Sequence, residues 1–128
     1  MPQLFLSDNW KDYELIDCGD DHRLERWKDI ILVRPDPQAL WPSGSDSRWD
    51  NPHAVYHRSP SGGGRWEFIS KVPEEWHMKY DNLTFKVQPT GFKHTGLFPE
   101  QAYNWTRIMH AVNTGLNVLN LFGYTGAA

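Results

Sequence analysis

The chain has 128 residues with 13 Lys and Arg against 16 Asp and Glu, a formal net charge of -3. That balance argues against a dedicated nucleic-acid binder built on a basic excess, and the length excludes two ordinary domains. The single cysteine, Cys18, cannot close an internal disulfide and suits a reducing cytosol, while no leader-like segment or long apolar run points to secretion or a membrane span.

Met1 to Asn9 carries no periodic pattern and reads as a loose lead-in. Tyr13-Glu-Leu-Ile-Asp-Cys18 reads as a strand stopped by the turn signal Gly19-Asp-Asp21. Arg23 to Val33 follows, with Ile30 to Val33 a β-branched strand ended by Pro35 and Pro37, so a hairpin is expected across the polar turn. Pro35 to Trp41 could start a short helical turn, and Pro42 to Ser47 is a loop by composition. Ala54 to His57 is extended, Ser59 to Gly64 is a flexible turn, and Arg65 to Ile69 alternates as a strand does. A second hairpin is expected from Trp76 to Tyr80 and Leu83 to Val87 around Asp81-Asn82.

Pro99 to Val112 reads as a helix. Pro99 suits its first turn, and Ala102, Trp105, Ile108, Met109 and Val112 recur at three- and four-residue spacing as one apolar face; Asn113-Thr-Gly115 ends it. Asn117-Val-Leu-Asn-Leu-Phe-Gly-Tyr-Thr-Gly126 then has the pattern of a buried parallel strand entering a glycine turn, where backbone can approach a ligand closely. The fold class expected is α+β: an antiparallel β-rich accessory domain over residues 1–90, then, over 91–128, a helix and the first strand of a truncated Rossmann-like domain. A complete fold of that kind needs several more βα units, so the chain reads as a fragment or a natural truncation.

The wording of two segments adds to this pattern. Val118-Leu-Asn-Leu-Phe-Gly-Tyr-Thr-Gly126 resembles the first cofactor motif of class I S-adenosylmethionine-dependent methyltransferases, in the form found in the large-subunit ribosomal-RNA methyltransferase branch. Upstream, Phe92-Lys-His-Thr-Gly-Leu-Phe-Pro-Glu-Gln-Ala-Tyr-Asn-Trp105 resembles the segment that precedes that motif. Lys93, Thr95, Gly96, Phe98 and Gln101 fall on the pattern, whereas His94 is inserted, Glu100 replaces the acid and Ala102 replaces the usual Arg. Val33 to Pro42 and His57 to Phe68 are similar to a bacterial subgroup of the same enzymes, so the resemblance runs from about Tyr13 to the last residue.

The resemblance implies S-adenosylmethionine as cofactor and RNA as substrate, with rRNA processing in the cytoplasm as the setting. It implies that Asn120, Phe122, Gly123, Tyr124, Thr125 and Gly126 line the pocket for the methionine part of the cofactor. Thr125 would add a hydroxyl hydrogen bond, Phe98 would pack on the cofactor, and Thr95, Gln101 and Lys93 would reach its polar atoms. Catalytic residues are expected beyond residue 128, so none is assigned and the chain alone is expected to be inactive. The unpaired strand at Leu119, Leu121 and Phe122 could pair with a second copy.

Other chemistry is weakly signalled. His53 and His57 have helical metal-ligand spacing on a stretch that reads as extended, and no Cys or carboxylate completes a set. His57, Ser59 and Asp46 lack a nucleophile elbow, and Gly62-Gly-Gly64 lacks the lysine and helix of a phosphate loop. Arg23, Arg26 and Lys28 could touch RNA phosphate but read more simply as a solvated face. The competing function is a stand-alone β-rich RNA- or protein-binding module that keeps a relic of the cofactor motif.

Overall fold

The computed structural model describes residues 2–127; Met1 and Ala128, the outer ends of the lead-in and of the glycine-rich tail, lie outside the described residues. Seven strands run among the described residues: β1 (Tyr13–Gly19), β2 (His22–Trp27), β3 (Ile30–Pro35), β4 (Ala54–Arg58), β5 (Gly64–Phe68), β6 (Trp76–Tyr80) and β7 (Leu83–Val87). A 3-10 turn, Pro99–Gln101, leads into helix α1 (Ala102–Ala111). Strands dominate and one helix follows, in keeping with the α+β class.

The turns explain the strand boundaries. Asp20 and Asp21 both adopt left-handed φ, 49° and 61°, which a two-residue hairpin loop needs and which Asp tolerates better than most residues. The stretch from His22 to Trp27, expected only to lead into a strand at Ile30, is itself β2. Lys28, at φ 59°, opens a second two-residue loop before β3. Asp81, at φ 52°, opens the β6–β7 loop as expected.

The five-stranded sheet has the order β1-β2-β3-β4-β5, antiparallel except where β3 meets β4. That one parallel pairing, Leu32 with Ala54 and Val33 with Val55, requires a crossover, which residues 36–53 supply. The helical turn expected over Pro35 to Trp41 is only a tight turn, closed by the Ala39 N–H on the Asp36 carbonyl at 3.0 Å. Two prolines and no apolar repeat leave a helix nothing to build on there. The crossover's 3-10 turn lies later, at Ser47–Trp49, where Asp46 caps it by accepting the Arg48 N–H at 2.9 Å.

Cross-strand partners share a face, so register identifies the core side. Tyr13, Trp27 and Ile30 align on one face of β1, β2 and β3, as do Glu25 with Leu32 and Arg23 with Arg34. This face packs Trp27, Ile30, Leu32 and Ala54 against Trp76, Met78, Tyr80 and Val87 of the β6–β7 hairpin and against Leu97, Ala102 and Trp105. One buried cluster thus draws on residues from both the 1–90 and the 91–128 ranges. Ile108, Met109 and Val112, expected on the apolar face of α1, remain substantially exposed.

A glutamate and an arginine lie within this apolar face. Glu25 is fully buried, and its carboxylate receives Arg34 Nε at 2.6 Å, Arg34 Nη2 at 2.7 Å and the Tyr13 hydroxyl at 2.8 Å. Burial first, then the Glu25 charge, pushes the Tyr13 hydroxyl far above the ordinary tyrosine range. Burial alone would lower the Arg34 value, but the charge and hydrogen bonds of Glu25 outweigh it and raise it.

The lead-in is not loose. Phe5 stacks on Tyr103 with ring centroids 4.6 Å apart, and the Trp10 indole N–H reaches the Pro99 carbonyl at 2.9 Å. Ser7 Oγ accepts the Tyr103 N–H at 3.1 Å and donates to the Glu100 carbonyl at 2.7 Å. Gln101, which precedes α1, makes no capping bond through its side chain. A residue far away in sequence therefore satisfies a first-turn N–H, a partner that no local pattern reveals.

Two aspartates hold the crossover onto the β1–β2 hairpin, and a third, Asp46, braces the turn within it through Arg48. Asp17 accepts from Gly44 N–H and Trp49 Nε1, each at 2.8 Å, and Asp20 accepts from the Ser43 N–H and hydroxyl. Gly19 permits the approach, since a Cβ there would lie 2.4 Å from the Ser43 nitrogen. The Trp49 bond holds the Asp17 carboxyl below the usual range, Ser43 does so for Asp20, and Arg48 brings Asp46 down to about 2. Among the described residues, no helix is long and apolar enough to cross a membrane.

Two outcomes follow. Glu25→Ala strands a buried guanidinium and should cost about 3–5 kcal/mol in chemical denaturation, whereas joint replacement of Glu25 and Arg34 by Met should recover most of that loss. A single-variant loss below about 1 kcal/mol would show that the pair does not govern the core. Acid should act first on the crossover. A carboxylate with a depressed folded pKa contributes its stability above its unfolded value, near pH 4, and loses it as pH falls through the folded value. The Trp49 indole N–H, followed by NMR, should lose its protection only as pH falls below about 4, through the depressed folded value of its partner Asp17.

Candidate functional site

The site begins where the buried ion pair ends. Arg34 uses its remaining nitrogen, Nη1, to donate to the Lys93 carbonyl at 3.0 Å. The Thr90 hydroxyl reaches the His94 carbonyl at 2.7 Å, and the Gln88 N–H reaches the Thr95 carbonyl at 3.0 Å. The backbone from Lys93 to Thr95 is therefore fixed carbonyl by carbonyl. Gly96 follows at φ 95°, a left-handed conformation that a side chain would strain. Leu97 and Pro99 are buried, and Phe98 between them lies partly open.

The tail returns to this fixed segment. The Thr125 hydroxyl donates to the Gly96 carbonyl, and the rings of Phe98 and Tyr124 lie 5.0 Å apart. Asn120 accepts the Phe122 N–H at 3.2 Å through its side chain, and the Gly126 N–H closes a turn on the Gly123 carbonyl at 2.7 Å.

Two cavities flank the returning tail and share Tyr124 and Ala127. One, of about 440 Å³, is the more polar of the two: Thr84, Lys86, Gln88 and Thr90 of β7 and its extension, with Phe85 among them, face Thr95, Gly96, Thr125 and Gly126. The other, of about 250 Å³, is more apolar: Phe98, Gln101 and Trp105 face Phe122 and Gly123. The Thr95 hydroxyl, fully buried beside the polar cavity, has no hydrogen-bond partner among the described residues. An orphaned buried hydroxyl in a wall of donors and acceptors suits a polar ligand, and the aromatic cavity next to it suits a flat ring.

Eight of the ten residues proposed from sequence are thus brought together: Thr95, Phe98, Gln101, Phe122, Gly123, Tyr124, Thr125 and Gly126. Asn120 lines neither cavity and acts on the shape of the tail. Lys93 lies in a separate small cavity beyond Phe98. The β7 residues Thr84 and Lys86, Gln88 just beyond the strand and the helix residue Trp105 went unrecognised as wall residues. The alternation from Leu83 to Val87 defines two faces of a strand, but only tertiary structure says which face meets the tail.

The expected strand within Asn117 to Leu121 is a correction. Among the described residues this stretch pairs with no other strand, and Val118, Leu119, Leu121 and Phe122 are exposed. A parallel strand is held by ladders to its neighbours and by covering helices, and none of these stands beside it here.

The histidine and arginine alternatives have structural occupations. His53 Nδ1 accepts the Ile31 N–H at 3.0 Å, and His57 Nε2 lies 2.6 Å from Glu67 across the β4–β5 pair. Arg26 is held by Glu14 and by the Lys11 and Lys28 carbonyls.

Thr125→Val removes the hydroxyl that ties the tail to Gly96 while keeping its volume. Amide exchange at Gly126 should accelerate about fivefold and the Phe98–Tyr124 ring contact should weaken in NMR spectra, with the strands unaffected. Unchanged exchange would mean that ring packing alone holds the tail.

No protein-family model matches the chain, and none of the curated proteins matches it. Among solved structures it is similar to the SAM-dependent methyltransferase from Agrobacterium tumefaciens, with 38% sequence identity over 92% of this chain and a TM-score of 0.84. The chain spans only 39% of the length of that structure. Over nearly all of its own length, then, it has the fold of the corresponding part of a SAM-dependent methyltransferase.

Proposed function

We propose that this chain forms part of an S-adenosylmethionine-dependent methyltransferase acting on RNA. The observation that carries the reading is the meeting of two segments some twenty residues apart in sequence. Thr95 to Gln101 and Phe122 to Gly126 are joined by the Thr125 bond and the Phe98–Tyr124 contact, with a cavity on either side. The solved relative, named as SAM-dependent, supports the cofactor class.

The residues present fit such a ligand. A methionine-like end carries a charged amine and a carboxylate, and the polar cavity offers the unpartnered Thr95 hydroxyl and closely approachable backbone at Gly96 and Gly126. Phe98, Trp105, Phe122 and Tyr124 offer flat apolar surface beside it. When bound, the cofactor supplies an electrophilic methyl group. The part of this chain is to hold and orient it and to exclude water from one side. Residues that act on the nucleophile belong to βα units that would complete the sheet, so the chain alone is inactive on this reading.

RNA is proposed from the family resemblance, in a reducing compartment such as the cytosol, where Cys18 stays a free thiol. Leu119, Leu121 and Phe122, all largely exposed, are the surface through which the chain would associate with the completing units or with a second copy.

Calorimetric titration of S-adenosylmethionine into this chain, and into a chimaera joining it to the part of the Agrobacterium enzyme it does not match, tests the proposal. Binding by the chimaera, weak or no binding by the chain alone, and an approximately tenfold loss on Phe98→Ala are expected. No binding by a folded chimaera would leave the alternative of a β-rich binding module.

A further inference from the structure

On the far side of Phe98 from the tail lies a third cavity, of about 140 Å³, lined by Arg23, Arg34, Lys93, His94, Phe98 and Glu100. Phe98 separates it from the tail: its ring stands 5.4 Å from His94 on one side and 5.0 Å from Tyr124 on the other. The β2–β3 register creates this cavity by setting Arg23 directly opposite Arg34. Two like charges in cross-strand register destabilise a sheet unless an opposite charge lies nearby.

Glu25 and Asp36 balance those two charges but do not use all of the donors. Arg34 gives Nε and Nη2 to Glu25 and Nη1 to the Lys93 carbonyl. Arg23 gives Nε and Nη2 to Asp36, while its Nη1 comes no closer than 3.9 Å to Glu25. The Lys93 ammonium forms no hydrogen bond or ion pair among the described residues.

We propose that this cavity is a binding site for a single phosphate group, with the Lys93 ammonium and Arg23 Nη1 as its donors. Arg34 holds the Lys93 backbone in place and adds positive potential, and His94 can donate one further bond from its ring. The volume accommodates one tetrahedral oxyanion, whose several acceptor oxygens suit donors converging from β2 and the loop. Burial first, then the charges of Arg58, Arg23 and Arg34, holds the Lys93 ammonium below the ordinary lysine range, against the opposing charge of Asp36. Burial, then Arg34 and Lys93, likewise lowers His94, which is therefore neutral at pH 7. Glu100 at the rim opposes an anion and limits affinity for a free one. The site is distinct from the proposed cofactor cavities and does not depend on methyl transfer.

The test uses this chain with inorganic phosphate, followed by NMR at the Lys93 and His94 amides and the His94 ring. Saturable shifts centred there are expected, weakened about tenfold by Lys93→Ala, retained in Lys93→Arg and unchanged by Lys28→Ala, which alters a turn lysine outside the cavity. A short single-stranded oligoribonucleotide distinguishes the sources. Tighter binding than free phosphate with the same Lys93 dependence identifies a phosphodiester, whereas phosphate binding alone identifies a free phosphate ligand. Shifts absent at the cavity, equal affinity in folded Lys93→Ala, or displacement of phosphate by equimolar S-adenosylmethionine would each overturn the proposal.

Discussion

The contact between Glu25 and Arg34 is the constraint on which the rest depends. Removing a carboxylate and a guanidinium from water costs several kcal/mol for each ion, and only near-complete hydrogen bonding offsets that cost. Here Glu25 receives two bonds from Arg34 and one from Tyr13, so three strands are committed to one register. A slip of one residue in β2 would turn both Glu25 and Trp27 away from the core. The nitrogen of Arg34 that Glu25 does not use reaches the Lys93 carbonyl. The sheet's electrostatics thereby position a loop almost sixty residues later. From Lys93 the order passes to Thr95, Gly96 and finally Thr125.

A second support is aromatic. Trp105, on the buried side of α1, lies 5.9 Å from Trp10, 5.7 Å from Tyr80 and 4.7 Å from Phe85 by ring centroids. Helix, hairpin and lead-in thus meet at one side chain. The first two contacts are edge-on, the arrangement that aligns a positive ring edge with a negative ring face. The Trp27, Trp76 and Trp105 indole N–H groups are buried without hydrogen-bond partners among the described residues, so packing has to offset their desolvation. Because Trp105 also walls the apolar cavity, this support connects the core directly to the candidate site.

Local chemistry explains which features were legible in the sequence. The β6–β7 hairpin was read with its correct limits because a two-residue Asp-Asn loop sits between alternating runs, and the helix was read from Pro99 and its apolar spacing. β2 was missed because Arg23, Arg26 and Lys28 read as a solvated face, whereas Glu25 between them is buried through a partner nine residues away. Lys28 gives little turn signal despite its left-handed φ, and the parallel β3–β4 pairing depends on a crossover with no helix in it. Most of the candidate site was legible in the wording of two segments. Their meeting was not, because it rests on backbone carbonyls held by Arg34, Thr90 and Gln88.

The tail shows how pattern and environment part. Its apolar run has the composition of a buried parallel strand, yet Leu119 and Phe122 are 82% and 88% exposed and no ladder holds them. Ile108 and Met109 of α1 and Val112 just after it are likewise left substantially open. Large contiguous apolar surfaces are uncommon on soluble proteins without a partner. The sequence therefore encodes burial that the described residues do not supply. Beyond the run, the glycine turn is fixed all the same, because Thr125 and Tyr124 are anchored by Gly96 and Phe98 rather than by a sheet. On the proposed reading this division is useful: the ligand-facing turn is set by the accessory fold, while the apolar run stays free to enter a sheet. Assembly would then order the strand without having to build the wall of the cofactor site.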